Sequence, residues 1–110
     1  MDIIICGIGG KMGRAVLEAA GSTPGVNVVA GVDARCEGNF GFPVYSDFGK
    51  CKERCDVVID FSRPEALGQI IEYCQRTEAA AVLATTGYSG QHKEMIKEAA
   101  KKIPVLQSSN

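Results

Sequence analysis

Histidine is almost absent from this sequence. His92 is the single one in 110 residues, and the five cysteines (Cys6, Cys36, Cys51, Cys55 and Cys74) include no Cys-x-x-Cys pair. Spacing therefore builds no four-ligand zinc set. The odd thiol count disfavours a disulfide scaffold and fits a reducing compartment. Cys51 and Cys55 would share a face only if their stretch were helical, so they read as ordinary thiols, with Cys6 and Cys74 as small apolar core residues. Basic clusters are scarce as well. The longest is Lys101-Lys102, and 12 Lys+Arg against 13 Asp+Glu leave a net charge of -1, which provides no pull towards nucleic acid. Long apolar runs are missing too: the N-terminal run stops at Gly7 behind the acidic Asp2, unlike a secretory signal or a membrane span of about 20 residues. Asp2 also stands where myristoylation requires glycine. No Ser-His-Asp set is present, and His92 falls early in a helical pattern as a surface residue.

What remains is an ordinary globular composition, 45% apolar and 23% charged, of a length that suits one domain burying roughly 60–70% of its extended surface. Short apolar runs alternate with stretches of helical period. Ile3–Cys6 reads as a strand buried on both faces, and Lys11–Ala20 as a helix through Met12, Ala15, Val16 and Ala19, ended by Gly21 to Gly25 with Pro24. Val28–Val32 is a second strand closed by Asp33. Residues 34–43 form a loop, Val44-Tyr45 is extended, and Ser46 is a candidate cap for a brief helix reaching Lys50–Glu53. Asp56–Phe61 is a strand. Pro64 opens a helix capped by Ser62, with Leu67, Ile70, Ile71 and Cys74 on one face. Ala80–Thr85 is a strand, Thr86–Gly90 a turn and Gln91–Lys102 an amphipathic helix, and Pro104–Leu106 begins a last strand. This rhythm predicts an α/β, Rossmann-like, doubly wound and mostly parallel sheet with helices on both faces.

One constellation carries chemistry. Gly7-Ile8-Gly9-Gly10-Lys11-Met12-Gly13 lies between the first strand and the first helix. Glycines there permit a tight turn, close approach of phosphate to main-chain N–H groups, and close helix–strand packing. The helix N-terminus then holds an anion without a dedicated cation. Asp33, 26 residues after Gly7 and 20 after Gly13, is placed to accept hydrogen bonds from the adenosine ribose. The Walker pattern fails, because Lys11 is not followed by Ser or Thr. Asp33 favours NADH, whereas Arg35 or Lys11 would let NADPH be tolerated; either cation also reads as solvated surface charge. Phe61 and Ser62, and then Thr85, Thr86 and Gly87, end strands on the same sheet edge; Thr86 and Gly87 are placed to face the nicotinamide carboxamide, and Phe61 to line the ring or adenine pocket. Their alternative roles are a helix cap for Ser62 and a turn for Thr86-Gly87.

In four segments, namely the glycine loop, Asp60-Phe61-Ser62-Arg63-Pro64-Glu65, Thr85-Thr86-Gly87-Tyr88 and Ser108-Ser109-Asn110, the chain resembles the cofactor-binding domain of bacterial 4-hydroxy-tetrahydrodipicolinate (dihydrodipicolinate) reductases. The resemblance spans essentially all 110 residues. It implies a cytoplasmic, NAD(H)- or NADP(H)-dependent enzyme of lysine and diaminopimelate biosynthesis acting on a small dicarboxylate. It places Gly7, Gly10, Lys11, Met12 and Gly13 at the pyrophosphate, Asp33 at the ribose, Phe61 and Ser62 beside the cofactor, Thr86 and Gly87 at the nicotinamide, and Asn110 at the crossing to a substrate domain. Lys11 stands where many members have Arg, which keeps charge but loses the planar fork. The resemblance also implies a second domain, absent here, with a His-His pair, a lysine and a Lys-x-Asp-x-Pro-Ser-Gly-Thr stretch. That domain would hold the substrate, donate the proton and build a homotetramer. Residues 1–110 then read as a dinucleotide-binding domain cut at its boundary, without catalytic residues or a metal, with neither nucleic acid nor membrane as partner. Two other functions share the glycine loop and Asp33: a non-catalytic NAD(P) sensor, and the cofactor domain of a different two-domain amino-acid or aldehyde dehydrogenase.

Overall fold

The computed structural model describes residues 1–35 and 40–108. Six strands among them form one sheet: β1 (Asp2–Cys6), β2 (Asn27–Val32), β3 (Val44–Tyr45), β4 (Val57–Asp60), β5 (Ala80–Leu83) and β6 (Val105–Gln107). The spatial order is β3-β2-β1-β4-β5-β6 and every pairing is parallel. Three helices provide crossovers: α1 (Lys11–Gly21), α2 (Leu67–Thr77) and α3 (Gly90–Ala99). Chain order runs outward from β1 in one direction and from β4 in the other, so the order reverses between these two central strands. A crevice opens at their carboxyl ends.

The two faces of the sheet differ. Ile3, Ile5 and Ile8 pack against Val16, Leu17 and Ala20 of α1. On the opposite face, Ile4, Cys6 and Val58 pack with Leu67, Ile70, Tyr73 and Cys74 of α2 and Ile96 and Ala99 of α3. Successive residues of β1 thus enter two different cores, which is why that strand is a continuous apolar run. Each such isoleucine contributes about 1.5–3 kcal/mol of burial.

The doubly wound parallel sheet is as predicted, with several local differences. Residues 51–55 hold no helix, so Cys51 and Cys55 share no helical face. The brief turn is Phe48–Lys50, and its cap is Asp47, which accepts the Gly49 N–H at 3.1 Å, rather than Ser46. Ser62 is not the cap of the following helix: Arg63 occupies that position without a side-chain bond, and a single 3-10 turn over Pro64–Ala66 precedes α2. The stronger acceptor Asp60 has captured the Ser62 hydroxyl. Gly21 is the last helical residue, and the cap falls on Ser22. Helix α3 ends at Ala99, and Ser89 with His92 forms a reciprocal capping box at its start, so His92 is a structural cap. Among the described cysteines Cys6, Cys51 and Cys74 are buried and Cys55 is half-buried; Cys36 lies outside the described residues. Burial pushes the Cys74 thiol up to about 12, with the neighbouring Cys55 adding to the shift.

Two outcomes follow. A Cβ at Gly13 would lie 2.2 Å from the Gly7 carbonyl oxygen, whereas one at Gly21 meets nothing within 4 Å. Gly13→Ala is expected to cost about 2 kcal/mol or more in urea unfolding, and Gly21→Ala to stabilise by about 0.5 kcal/mol; equal effects would contradict the packing described. The Cys74 thiol ionises near its ordinary value when unfolded but only near 12 when folded. Its contribution is therefore complete below about pH 9 and is lost as the pH rises from there. Between pH 9.5 and 11 the stability of Cys74→Ala is expected to fall less steeply than wild type, by up to about 1.4 kcal/mol per pH unit. Identical slopes would refute it.

Candidate nucleotide site

The glycine loop leaves β1 by a turn that few other residues could make. Gly7 has φ +82°, in the left-handed region, and its N–H donates to the Val32 carbonyl at 2.8 Å, tying the loop to the tip of β2. A Cβ at Gly7 would press to 3.0 Å on the Phe61 main chain, so the carboxyl ends of β1 and β4 approach as closely as backbone allows. Gly10 N–H closes the turn on the Gly7 carbonyl at 3.0 Å, and Gly10 then starts α1 with no side-chain cap. The first-turn N–H groups are left without a side-chain acceptor, the condition in which a helix start attracts an anion.

Asp33 reaches this loop directly. Its Oδ2 accepts the Gly9 N–H at 2.8 Å and its Oδ1 accepts the Arg35 N–H at 2.9 Å. The carboxylate at the tip of β2 therefore stands at the mouth of the glycine turn. A cleft of about 950 Å³ opens over the same place, lined by Gly7, Gly9, Gly10, Asp33, Arg35, Phe61 and Ser62 among others. Seven of the residues selected from the sequence converge on that cleft.

The others fall elsewhere. Ile8 is fully buried, and a Cβ on Gly31 would lie 2.8 Å from its Cδ1. Its side chain is a core anchor beneath the loop, so only its backbone can serve a ligand. Gly13 is a packing residue for the same steric reason given above. Lys11 and Met12 are exposed and do not line the cleft. Thr85, Thr86 and Gly87 stand outside it too; Thr85 is buried and its hydroxyl donates to Asp60 Oδ2 at 3.0 Å. Asn110 lies outside the described residues.

Sequence reasoning missed Arg14, Arg63, Asp47 and Gln69, which also line the cleft. Arg14 had a readable signal, since it follows the helix-starting Gly10 by one turn; its Nε donates to the Gly9 carbonyl at 3.0 Å and braces the loop from outside. The residue with the largest unread role is Asp60. It is completely buried at the end of β4 and its Oδ1 accepts from both the N–H (2.8 Å) and the hydroxyl of Ser62. The buried hydroxyl of Tyr88 has no hydrogen-bond partner among the described residues. Burial, and then the Asp60 charge, push it up to about 12. Cys6 is likewise raised by burial first and Asp60 second. Among the described residues no group of three or more His, Cys, Asp or Glu could hold a metal ion, and no helix is long and apolar enough to cross a membrane.

Similarity to known proteins follows the same arrangement. The 4-hydroxy-tetrahydrodipicolinate reductase of Clostridium tetani is 40% identical over 108 residues, covering 98% of this chain and 42% of that protein. The protein of the same name from Caldanaerobacter subterraneus subsp. tengcongensis is 43% identical over 108 residues, with 98% and 43% covered. The chain thus spans less than half the length of these relatives. A dipicolinate-bound dihydrodipicolinate reductase from Paenisporosarcina sp. TG-14 has the same fold, with a TM-score of 0.78 at 18% identity over 100% of this chain and 47% of that one. The family model described as "Dihydrodipicolinate reductase, N-terminus" matches residues 1–110, and the chain belongs to that family.

Proposed function

We propose that this chain is the nucleotide-binding part of a 4-hydroxy-tetrahydrodipicolinate reductase, an oxidoreductase that uses NADH, and tolerates NADPH, to form tetrahydrodipicolinate. The observation that carries the reading is the Asp33 carboxylate 2.8 Å from the Gly9 N–H, at the mouth of a glycine turn that opens an uncapped helix. That donor set suits a pyrophosphate, which needs main-chain N–H groups and room for close approach. A side chain at Gly10 would narrow the approach.

In this reading Gly7, Gly9, Gly10, Lys11, Met12 and Gly13 surround the pyrophosphate through their backbones, with Ile8 fixing the loop from below. Asp33 accepts from the adenosine ribose. Arg35, exposed beside it, is the cation for an additional ribose phosphate. Phe61 and Ser62 form the wall between the two nucleotide halves, and Thr85, Thr86 and Gly87 border the nicotinamide half. Asn110 opens the crossing to a substrate-binding and oligomerisation domain. When bound, the reduced nicotinamide supplies a hydride to the carbon of the substrate C=N bond. The chain's own part is to hold and orient: the loop and Asp33 lock the adenosine diphosphate half, and the two strand-end segments direct the ring half outward. His92 is engaged in the α3 cap, where its Nδ1 accepts the Ser89 N–H at 3.1 Å, and it does not line the cleft. Proton donation and the clamp on the two carboxylates are therefore assigned to the remaining length of the protein, which is proposed to act as a cytoplasmic homotetramer.

Two outcomes test this. Calorimetry of the 110-residue chain is expected to give a 1:1 signal with NADH but no substrate-dependent NADH consumption; turnover would place a catalytic group within it. Asp33→Asn keeps an acceptor oxygen for Gly9 but loses the charge. It is expected to move the NADPH-to-NADH affinity ratio towards NADPH by about tenfold, the difference between a charge-assisted and a neutral hydrogen bond. An unchanged ratio would remove Asp33 from the ribose.

A further inference from the structure

Asp60 is a completely buried acid in the middle of an apolar strand register. It lies level with Cys6 of β1 on one side and Leu83 of β5 on the other. Removing a carboxylate from water is costly unless partners compensate. The hydrogen bonds it accepts come from donors without net charge, namely the Ser62 N–H, the Ser62 hydroxyl and the Thr85 hydroxyl, with the buried Tyr88 hydroxyl also within its influence. The Ser62 main-chain N–H can only donate, and the two hydroxyls are free to turn their hydrogens to the same carboxylate. Among the described residues no Lys, Arg or His nitrogen lies within 4 Å of it, the one ion pair being Lys101 with Glu98. As a carboxylate Asp60 has no cation in direct contact, and it lies in surroundings where screening by water is weak.

Its position gives that field a use. Its bonds bridge Ser62, which follows β4, to Thr85, which follows β5. The first was assigned above to the wall between the two nucleotide halves and the second to the border of the nicotinamide half. The two oxidation states of that half differ by one unit of charge: the reduced ring is neutral, and loss of hydride from C4 with both electrons of the C–H bond leaves a monocation.

We propose that Asp60 is a redox-state determinant of the site, its buried negative charge favouring the cationic oxidised nicotinamide over the neutral reduced one. The same field favours hydride departure, because positive charge grows on the ring as the C–H bond breaks. Asp60 touches neither nucleotide nor substrate in this account; it acts through space and holds Ser62 and Thr85 in place. The inference rests on the nucleotide-site reading above. ADP-ribose, which lacks the nicotinamide, separates the two: failure of wild type to bind ADP-ribose would defeat the site itself, whereas the Asp60 claim concerns only the ratio between the two full cofactors.

The test is calorimetry of the 110-residue chain with NAD+, NADH and ADP-ribose, for wild type and Asp60→Asn. Asparagine keeps the shape and an acceptor for the Ser62 N–H, while the Thr85 hydroxyl can turn to accept. The expected result is NAD+ binding weakened by about tenfold, the order expected for one charge acting across several ångströms of poorly screened protein, with NADH and ADP-ribose changed less than about twofold. A purely structural role would weaken NAD+ and NADH by the same factor, and that result would overturn the proposal. If Asp60→Asn does not fold, Asp60→Ser, which is smaller and also uncharged, is measured in its place with the same expectation. Thr85→Val, which removes one hydrogen bond but leaves the charge, is expected to keep the NAD+ to NADH ratio of wild type; a change in that ratio as large as that of the uncharged variant would equally refute the charge as the cause.

Discussion

A carboxylate and a main-chain N–H 2.8 Å apart, Asp33 Oδ2 and Gly9, join the two halves of the site. The bond exists because the Gly7 turn throws the loop over the tip of β2, where Gly7 N–H is already tied to the Val32 carbonyl. That turn in turn requires Gly13, whose missing Cβ lets α1 settle on the Gly7 carbonyl. A bulky residue at either glycine would lift the helix start from the strand end and take the N–H groups away from the acid.

The rest of the architecture supports this junction from below. Ile8 fills the space left by Gly31 on the α1 side of the sheet, so the loop is anchored by a buried side chain while its backbone remains at the surface. On the other side of the reversal point, Asp60 performs a comparable tie between the segments that follow β4 and β5. Both ties are carboxylates at strand ends. One is part-exposed and meets the cleft, and the other is sealed beneath it. Burial is what separates their chemistry: Asp33 is available to a ligand's hydroxyls, whereas Asp60 can influence a ligand only through its field and through the loops it holds.

Much of this was legible in the residues, for identifiable reasons. Ile3–Cys6 and Val57–Ile59 are apolar without alternation because both faces of those strands are covered, and the glycine spacing survives into the structure because each glycine answers a different steric demand. The caps were harder to read. Ser46 and Ser62 both have the composition of a helix cap, but each has an aspartate within two residues, and the aspartates are the stronger acceptors. Asp47 caps the Phe48–Lys50 turn itself, while Asp60 withdraws the Ser62 hydroxyl from the helix. Ile8 stands among glycines in the sequence, although its side chain belongs to the core; only the pairing of β1 with β2, which brings Gly31 beneath it, reveals this. Arg14, Asp47, and the Arg63 and Gln69 pair come from three separate stretches of chain and meet at one cleft, a convergence that local pattern does not encode.

The proposed function stands on the Gly9–Gly13 backbone and Asp33 acting together as the nucleotide's anchoring point. Titration of the 15N-labelled chain with NADH, followed residue by residue through its amide resonances, tests this most directly. The largest shifts are expected on Gly9, Gly10, Lys11 and Met12 and on the Asp33–Arg35 turn, as the Gly9 N–H exchanges or shares its carboxylate partner. Shifts gathered on a distant surface, with the Gly9–Met12 amides unmoved at saturation, would contradict it.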